Sequence, residues 1–169
     1  TSVVRSLFVG NEALIGGALY QQGGPIEIDI STLSANRAGG YGGGLYVKSG
    51  SVAIDWSTLR DNEADLGFGS AFLFEWGALD LGRSIVTAEP SMGSLCYGSQ
   101  YVTSAGGNAF SDSTCGTPAA DDVLVGGPID LSELVDHGGS TKAHVPLCDW
   151  STGTCESPVF DHIPCCALG

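Results

Sequence analysis

Ile26-Glu27-Ile28-Asp29-Ile30-Ser31-Thr32-Leu33-Ser34-Ala35-Asn36 and Val52-Ala53-Ile54-Asp55-Trp56-Ser57-Thr58-Leu59-Arg60-Asp61-Asn62 are one pattern written twice, 26 residues apart. Each copy alternates apolar and polar residues, passes through Ser-Thr-Leu and ends on Asn. Period-two alternation is the signature of a strand, and Asn favours a corner because it tolerates left-handed backbone. Working outward, the corner recurs at Asn11, so the three asparagines are spaced by 25 and 26 residues. A glycine corner recurs as well, in Gly16-Gly17-Ala18-Leu19-Tyr20, Gly42-Gly43-Gly44-Leu45-Tyr46 and, more weakly, Gly69-Ser70-Ala71-Phe72-Leu73. Gly77-Ala78-Leu79-Asp80-Leu81 and Ser84-Ile85-Val86 continue the strand and the Ser-Thr-Leu element.

Each period thus holds three short strand-like pieces separated by Asn or Gly corners. Such pieces bury nothing alone, but stacked coils pair each strand with its copy at ~4.8 Å. The expected fold is all-β: a right-handed, single-stranded parallel β-helix with coils of about 25 residues. Ile28, Ile54 and Leu79 should be vertical neighbours. The coils should span 1–95, with 96–136 forming a last coil whose loop a Cys96–Cys115 bridge closes. Within it, 130–135 reads as one helical turn. Residues 137–169 read as an irregular, Cys-rich cap over the last apolar ladder. Thr1 enters the repeat directly, so the chain reads as a piece of a longer product. Its first coil should pack on the remainder of that product or on another chain.

Acidic residues outnumber basic ones 19 to 6, for a net charge of −13, which repels a phosphate backbone and argues against nucleic acid. No apolar run is long enough to span a bilayer. The six cysteines, Cys96, Cys115, Cys148, Cys155, Cys165 and Cys166, form no CxxC pair. Disulfides in an oxidising compartment are therefore favoured over a zinc site, and their connectivity stays open. Glycine pairs lack the Walker lysine, and no Gly-x-Ser-x-Gly elbow is present.

Two columns carry the candidate chemistry. Asn11, Asn36 and Asn62 read as a structural ladder, each side chain bonding to the next coil. Asp29, Asp55 and Asp80 read as an outward carboxylate column, first of all a solvated acidic face. Mutual repulsion at ~5 Å would be relieved by a cation, calcium being the one such oxygens suit, or the column would face a glycan. Cleavage would need a second acid, or a base beside the acids, for which Arg83 is nearest in sequence. His137, His144 and His162, with Asp136, Asp149 or Asp161, make a weaker metal set; backbone hydrogen bonding is the plainer reading. Tyr20 and Tyr46 share one repeat position and either stack on sugars or line a corner. Trp56 and Trp76 are further surface aromatics.

Phe8-Val9-Gly10-Asn11 followed by Gly16-Gly17-Ala18-Leu19 resembles the repeats of chlamydial polymorphic outer-membrane proteins. The Gly-Gly-Gly-Leu-Tyr and Ser-Thr-Leu elements resemble bacterial right-handed parallel β-helix repeat proteins. Cys96, Ser104-Ala105-Gly106-Gly107-Asn108, Ser111-Asp112, Cys115, Leu131, Leu134, Asp136, Gly138-Gly139, Thr141 and His144, with Ser157-Pro158-Val159-Phe160-Asp161, are similar to the C-terminal region of choice-of-anchor Q surface proteins. After that element this chain departs, with His162-Ile163-Pro164-Cys165-Cys166. The resemblance implies a secreted or cell-surface protein, often adhesive, and is poor for activity; the main expectation is a non-enzymatic structural or adhesive β-helix without cofactor. The alternative is a polysaccharide-binding or polysaccharide-cleaving protein working through the aspartate column.

Overall fold

The computed structural model describes residues 1–136 and 142–144, with the backbone of the strands Cys148–Asp149 and Thr154–Cys155. The chain winds into a parallel β-solenoid of about four turns. Four faces line the first three turns, where three were expected. The first face stacks Ser2–Val4, Pro25–Asp29, Ser51–Asp55, Ala78–Gly82 and Val102–Gly106. The second stacks Leu7–Val9, Thr32–Ser34, Thr58–Arg60, Ile85–Thr87, Ala109–Phe110 and Val123–Leu124. The third holds Glu12–Ile15, Arg37–Tyr41 and Glu63–Ala64; the fourth holds Leu19–Gln21, Leu45–Val47, Phe72–Phe74 and Cys96–Tyr97. The added face exists because the stretch between the Asn corner and the Gly corner also pairs, Glu12 and Ala13 lying opposite Arg37 and Ala38.

Alternation sorts the side chains. Leu33, Leu59, Val86 and Phe110 form one inward column on the second face, with partly buried Phe8 beneath them. Leu19, Leu45, Phe72 and Cys96 form another on the fourth. Each fully buried Leu, Ile, Val or Phe contributes about 1.5–3 kcal/mol, and only stacking creates the burial.

The register corrects one expectation. Ile28 does face Ile54, but Ile54 faces Leu81, while Leu79 faces Val52. The third coil steps 27 residues here instead of 25. Its Asn62-to-Gly69 stretch is one residue longer than Asn36-to-Gly42, and that extra residue falls after the third-face strand, between Ala64 and Gly69.

Cys96–Tyr97, Val102–Gly106 and Ala109–Phe110 form a fourth coil, and Val123–Leu124 adds a rung to the second face. The expected helical turn over 130–135 is absent. Ile129 and Leu131 instead pack on Ala109, and Val135 pairs with Ala143 in an isolated antiparallel bridge. The helical turns among the described residues are 3-10: Pro90–Met92 and Ser99–Tyr101. None is long or apolar enough to cross a membrane.

Candidate functional site

Two polar columns run up the corners. In the first, the Asn11 amide N–H and Nδ2 donate to Asn36 Oδ1 at 3.0 and 2.8 Å. The Asn36 N–H and Nδ2 donate to Asn62 Oδ1 at 3.1 and 2.8 Å. Asn36 Nδ2 and Asn62 Nδ2 also donate to the Phe8 and Leu33 carbonyls, at 3.0 and 2.9 Å. The left-handed residue at this corner is not the asparagine but its predecessor: Gly10, Ala35 and Asp61 have φ of 63°, 52° and 50°. That twist turns the next N–H along the solenoid axis, where the neighbouring amide oxygen receives it.

The sequence reading missed the second column. Ser6, Ser31 and Ser57 each donate their N–H to the serine hydroxyl one coil on, at 3.1 Å, and Ser84 donates to Asn108 Oδ1 at 3.0 Å. Arg5, Ile30, Trp56 and Arg83 precede them, with φ between 46° and 48°. Left-handed backbone is unfavourable for a β-branched or bulky residue by roughly 1–2 kcal/mol. The serine hydrogen bonds and the strands on both sides hold it in place. The signal was available: Ser6, Ser31, Ser57 and Ser84 are spaced by 25, 26 and 27.

The aspartate column does not survive the register. Asp29 lies opposite Asp55, but Asp80 lies opposite Ala53 and the third position is Gly82. Asp55 is moreover occupied, because Arg83 Nη2 forms an ion pair with its Oδ2 and the Trp56 N–H donates to its Oδ1 at 3.1 Å. The same guanidinium lies 5.2 Å from the centroid of the Trp56 ring, a cation–π contact. Arg83 and Trp56 border a groove of about 350 Å³ that Asp121 also lines. Exposed pairs of this kind contribute under about 1 kcal/mol. The calcium proposal therefore loses its third carboxylate, and no cluster of three or more metal-ligating side chains occurs among the described residues.

Of the three histidines, His137 and His162 lie outside the described residues, as do Asp161, Cys165 and Cys166. The same holds for the side chains of Asp149, Cys148 and Cys155, whose backbones pair in a short hairpin. Cys96 and Cys115 are joined by a disulfide. His144 serves as a clasp on the second face. Its Nδ1 lies 2.7 Å from the Ser132 carbonyl and 3.0 Å from Arg60 Nη1, and its Nε2 lies 2.9 Å from Ser34 Oγ. Arg60 Nη1 donates to the same Ser132 carbonyl at 2.6 Å, and the Ile129 N–H donates to Thr87 Oγ1 at 2.9 Å. The segment from Ile129 to His144, where described, thus straps three coils together.

Burial pushes His144 below its ordinary pKa of 6.5, and the Arg60 charge adds to this; the Ser132 hydrogen bond and the Asp61 and Glu133 charges oppose it. The unfolded chain therefore takes up the proton first as pH falls through 6.5. The stabilisation is complete above that pH and is lost on acidification towards the lower folded value. Hydrogen exchange at the Ile129 amide, corrected for intrinsic rate, should be faster at pH 5.5 than at 7.5. His144→Gln should remove the difference. Equal protection at both pH values in the unaltered protein would contradict the clasp.

The remaining surface feature is aromatic and gathers where the third and fourth faces meet. Tyr20 and Tyr46 are in register and stack with centroids 5.5 Å apart and planes 15° from parallel. Tyr41 approaches Phe68 at 6.3 Å, and Phe68 meets Tyr97 edge-on at 5.2 Å. The Tyr46 hydroxyl donates to Glu75 Oε1. Burial, reinforced by that carboxylate, pushes the phenol well above its ordinary pKa of 10.0, so it stays a donor. Beside it lies a shallow cleft of about 830 Å³, bordered by Phe68, Glu75, Trp76 and Tyr97. Trp76 is 68% exposed and Tyr97 is 51% exposed. Only the Tyr20 and Tyr46 pair was visible in the repeat. The further signal was an aromatic residue just before the left-handed glycine in successive coils, Tyr41-Gly42 and Phe68-Gly69.

Comparison with protein-family models, curated proteins and solved structures gave no match.

Proposed function

We propose that this chain is a non-enzymatic, secreted or cell-surface solenoid that adheres to a partner through its aromatic corner. The observation carrying this is the exposed band of Tyr20, Tyr41, Phe68, Tyr97 and Trp76, which spans successive coils. An apolar patch left open to water on a rigid support marks an interaction surface. The Cys96–Cys115 disulfide supports an oxidising, extracytoplasmic location. The repeat resemblance to bacterial surface proteins points the same way. The first coil ends all four sheets in strand edges, Ser2–Val4, Leu7–Val9, Glu12–Ile15 and Leu19–Gln21, which suit a further coil or another chain.

Beads coated with the full chain, flowed over cellulose, mucin, collagen and fibronectin surfaces, test the adhesive role. Retention on at least one surface, lost when the chain on the bead is reduced and heat-unfolded, is expected. Retention on none of them contradicts the proposal.

A further inference from the structure

We infer that the cleft bordered by Phe68, Trp76 and Tyr97 is a binding site for a neutral polysaccharide chain. This rests on the adhesive reading and names the ligand class of its surface. The rings supply flat apolar faces, on which the C–H faces of a pyranose stack while water is displaced. Glu75 and Gln100 also line the cleft and carry groups that hydrogen-bond sugar hydroxyls. The lining mixes rings with polar side chains, which suits a sugar better than a purely apolar lipid surface.

Charge selects within the sugars. No Lys or Arg lines the cleft, Glu75 does, and the chain carries a net charge of −13. A uronate polymer would be repelled, whereas a neutral glycan is indifferent to the field. The site is also preorganised. Cys96, in register with Phe72, is tied by its disulfide to Cys115, and its N–H donates to Thr114 Oγ1 at 3.0 Å. Little ordering entropy is then lost when the ligand arrives.

Affinity electrophoresis of the full chain, through gels containing hydroxyethylcellulose, glucomannan, xylan or polygalacturonate, tests the assignment. Retardation in at least one neutral gel and none in polygalacturonate is expected. Trp76→Ala and Tyr97→Ala should each weaken it about tenfold, equivalent to about 1.4 kcal/mol. Trp56→Ala removes an exposed ring outside the cleft and should leave retardation unchanged. Trp76 is the deciding variant, because a side chain this exposed is dispensable to the fold. Three outcomes would overturn the inference: no retardation in any neutral gel, preference for polygalacturonate, or equal loss in Trp56→Ala and Trp76→Ala. Beads that still adhere when no neutral gel retards the chain would remove the glycan site while leaving adhesion standing.

Discussion

Asn62→Ala should destabilise the protein by about 4 kcal/mol and lower Tm by roughly 12 °C. Asn62 is 1% exposed and makes three hydrogen bonds: its Oδ1 accepts twice from Asn36, and its Nδ2 donates to the Leu33 carbonyl. Alanine removes all three: the buried Asn36 N–H is left without its acceptor, and Asn36 Nδ2 and the Leu33 carbonyl each lose one partner. Each orphaned group costs about 1–3 kcal/mol, which outweighs the modest net value of the bonds themselves. Asn11→Ala is the matched control. Asn11 is exposed and only donates to the coil beyond it, so its loss should cost under about 1 kcal/mol. Thermal denaturation of the two variants separates a load shared up the column from a surface asparagine. Equal shifts in both would refute the ladder.

Gly43→Ala should cost a similar amount for a steric reason. A Cβ at Gly43 would lie 2.5 Å from each of the N, C and O atoms of Glu63, which is backbone and has nowhere to go. Relief requires opening the spacing between coils. That weakens the bonds from the Gly43 N–H to the Gly69 carbonyl and from the Glu63 N–H to the Asn36 carbonyl, now 3.1 and 2.8 Å. Overpacking and bond loss together give about 4 kcal/mol. Gly23→Ala should be nearly neutral, since its Cβ would meet only Ser49 Oγ, at 3.8 Å. Chemical denaturation checks both. A neutral Gly43→Ala would mean the coils are not in backbone contact there.

These two positions also show how much of the fold was legible. The asparagine spacing and the paired glycines exposed the coil directly, because only a stacked repeat needs the same corner residue every turn. The third coil's register was not legible from alternation. A slip of two residues keeps every side chain on its own face, so hydrophobicity cannot detect it. Aligning Asp55 with Asp80 satisfied the pattern and was wrong by two. The serine column would have resolved it, since Ser57 to Ser84 spans 27 residues where Asp55 to Asp80 spans 25. Once the slip is removed, the acidic column disappears.

The aromatic corner was hidden for a different reason. Tyr41 ends a strand of the third face, which the three-strand reading lacked, Phe68 lies in the turn that follows that face, and Tyr97 belongs to the last coil. Rings from three coils converge there only through the stacking, which no local window contains. The strap through Ile129, Ser132 and His144 was likewise out of reach, because its partners Thr87, Arg60 and Ser34 lie 42 to 110 residues away.

The central claim is that residues 25 to 27 apart are vertical neighbours. Its most direct test is a nuclear Overhauser experiment on isoleucine-, leucine- and valine-labelled protein. Contacts should link Leu33 to Leu59 and Leu59 to Val86, with Val52 contacting Leu79 and Ile54 contacting Leu81. Cross-peaks joining these strands in antiparallel order, or Ile54 contacting Leu79 as its direct partner, would contradict the stacking and register from which the corner ladders and the aromatic site both follow.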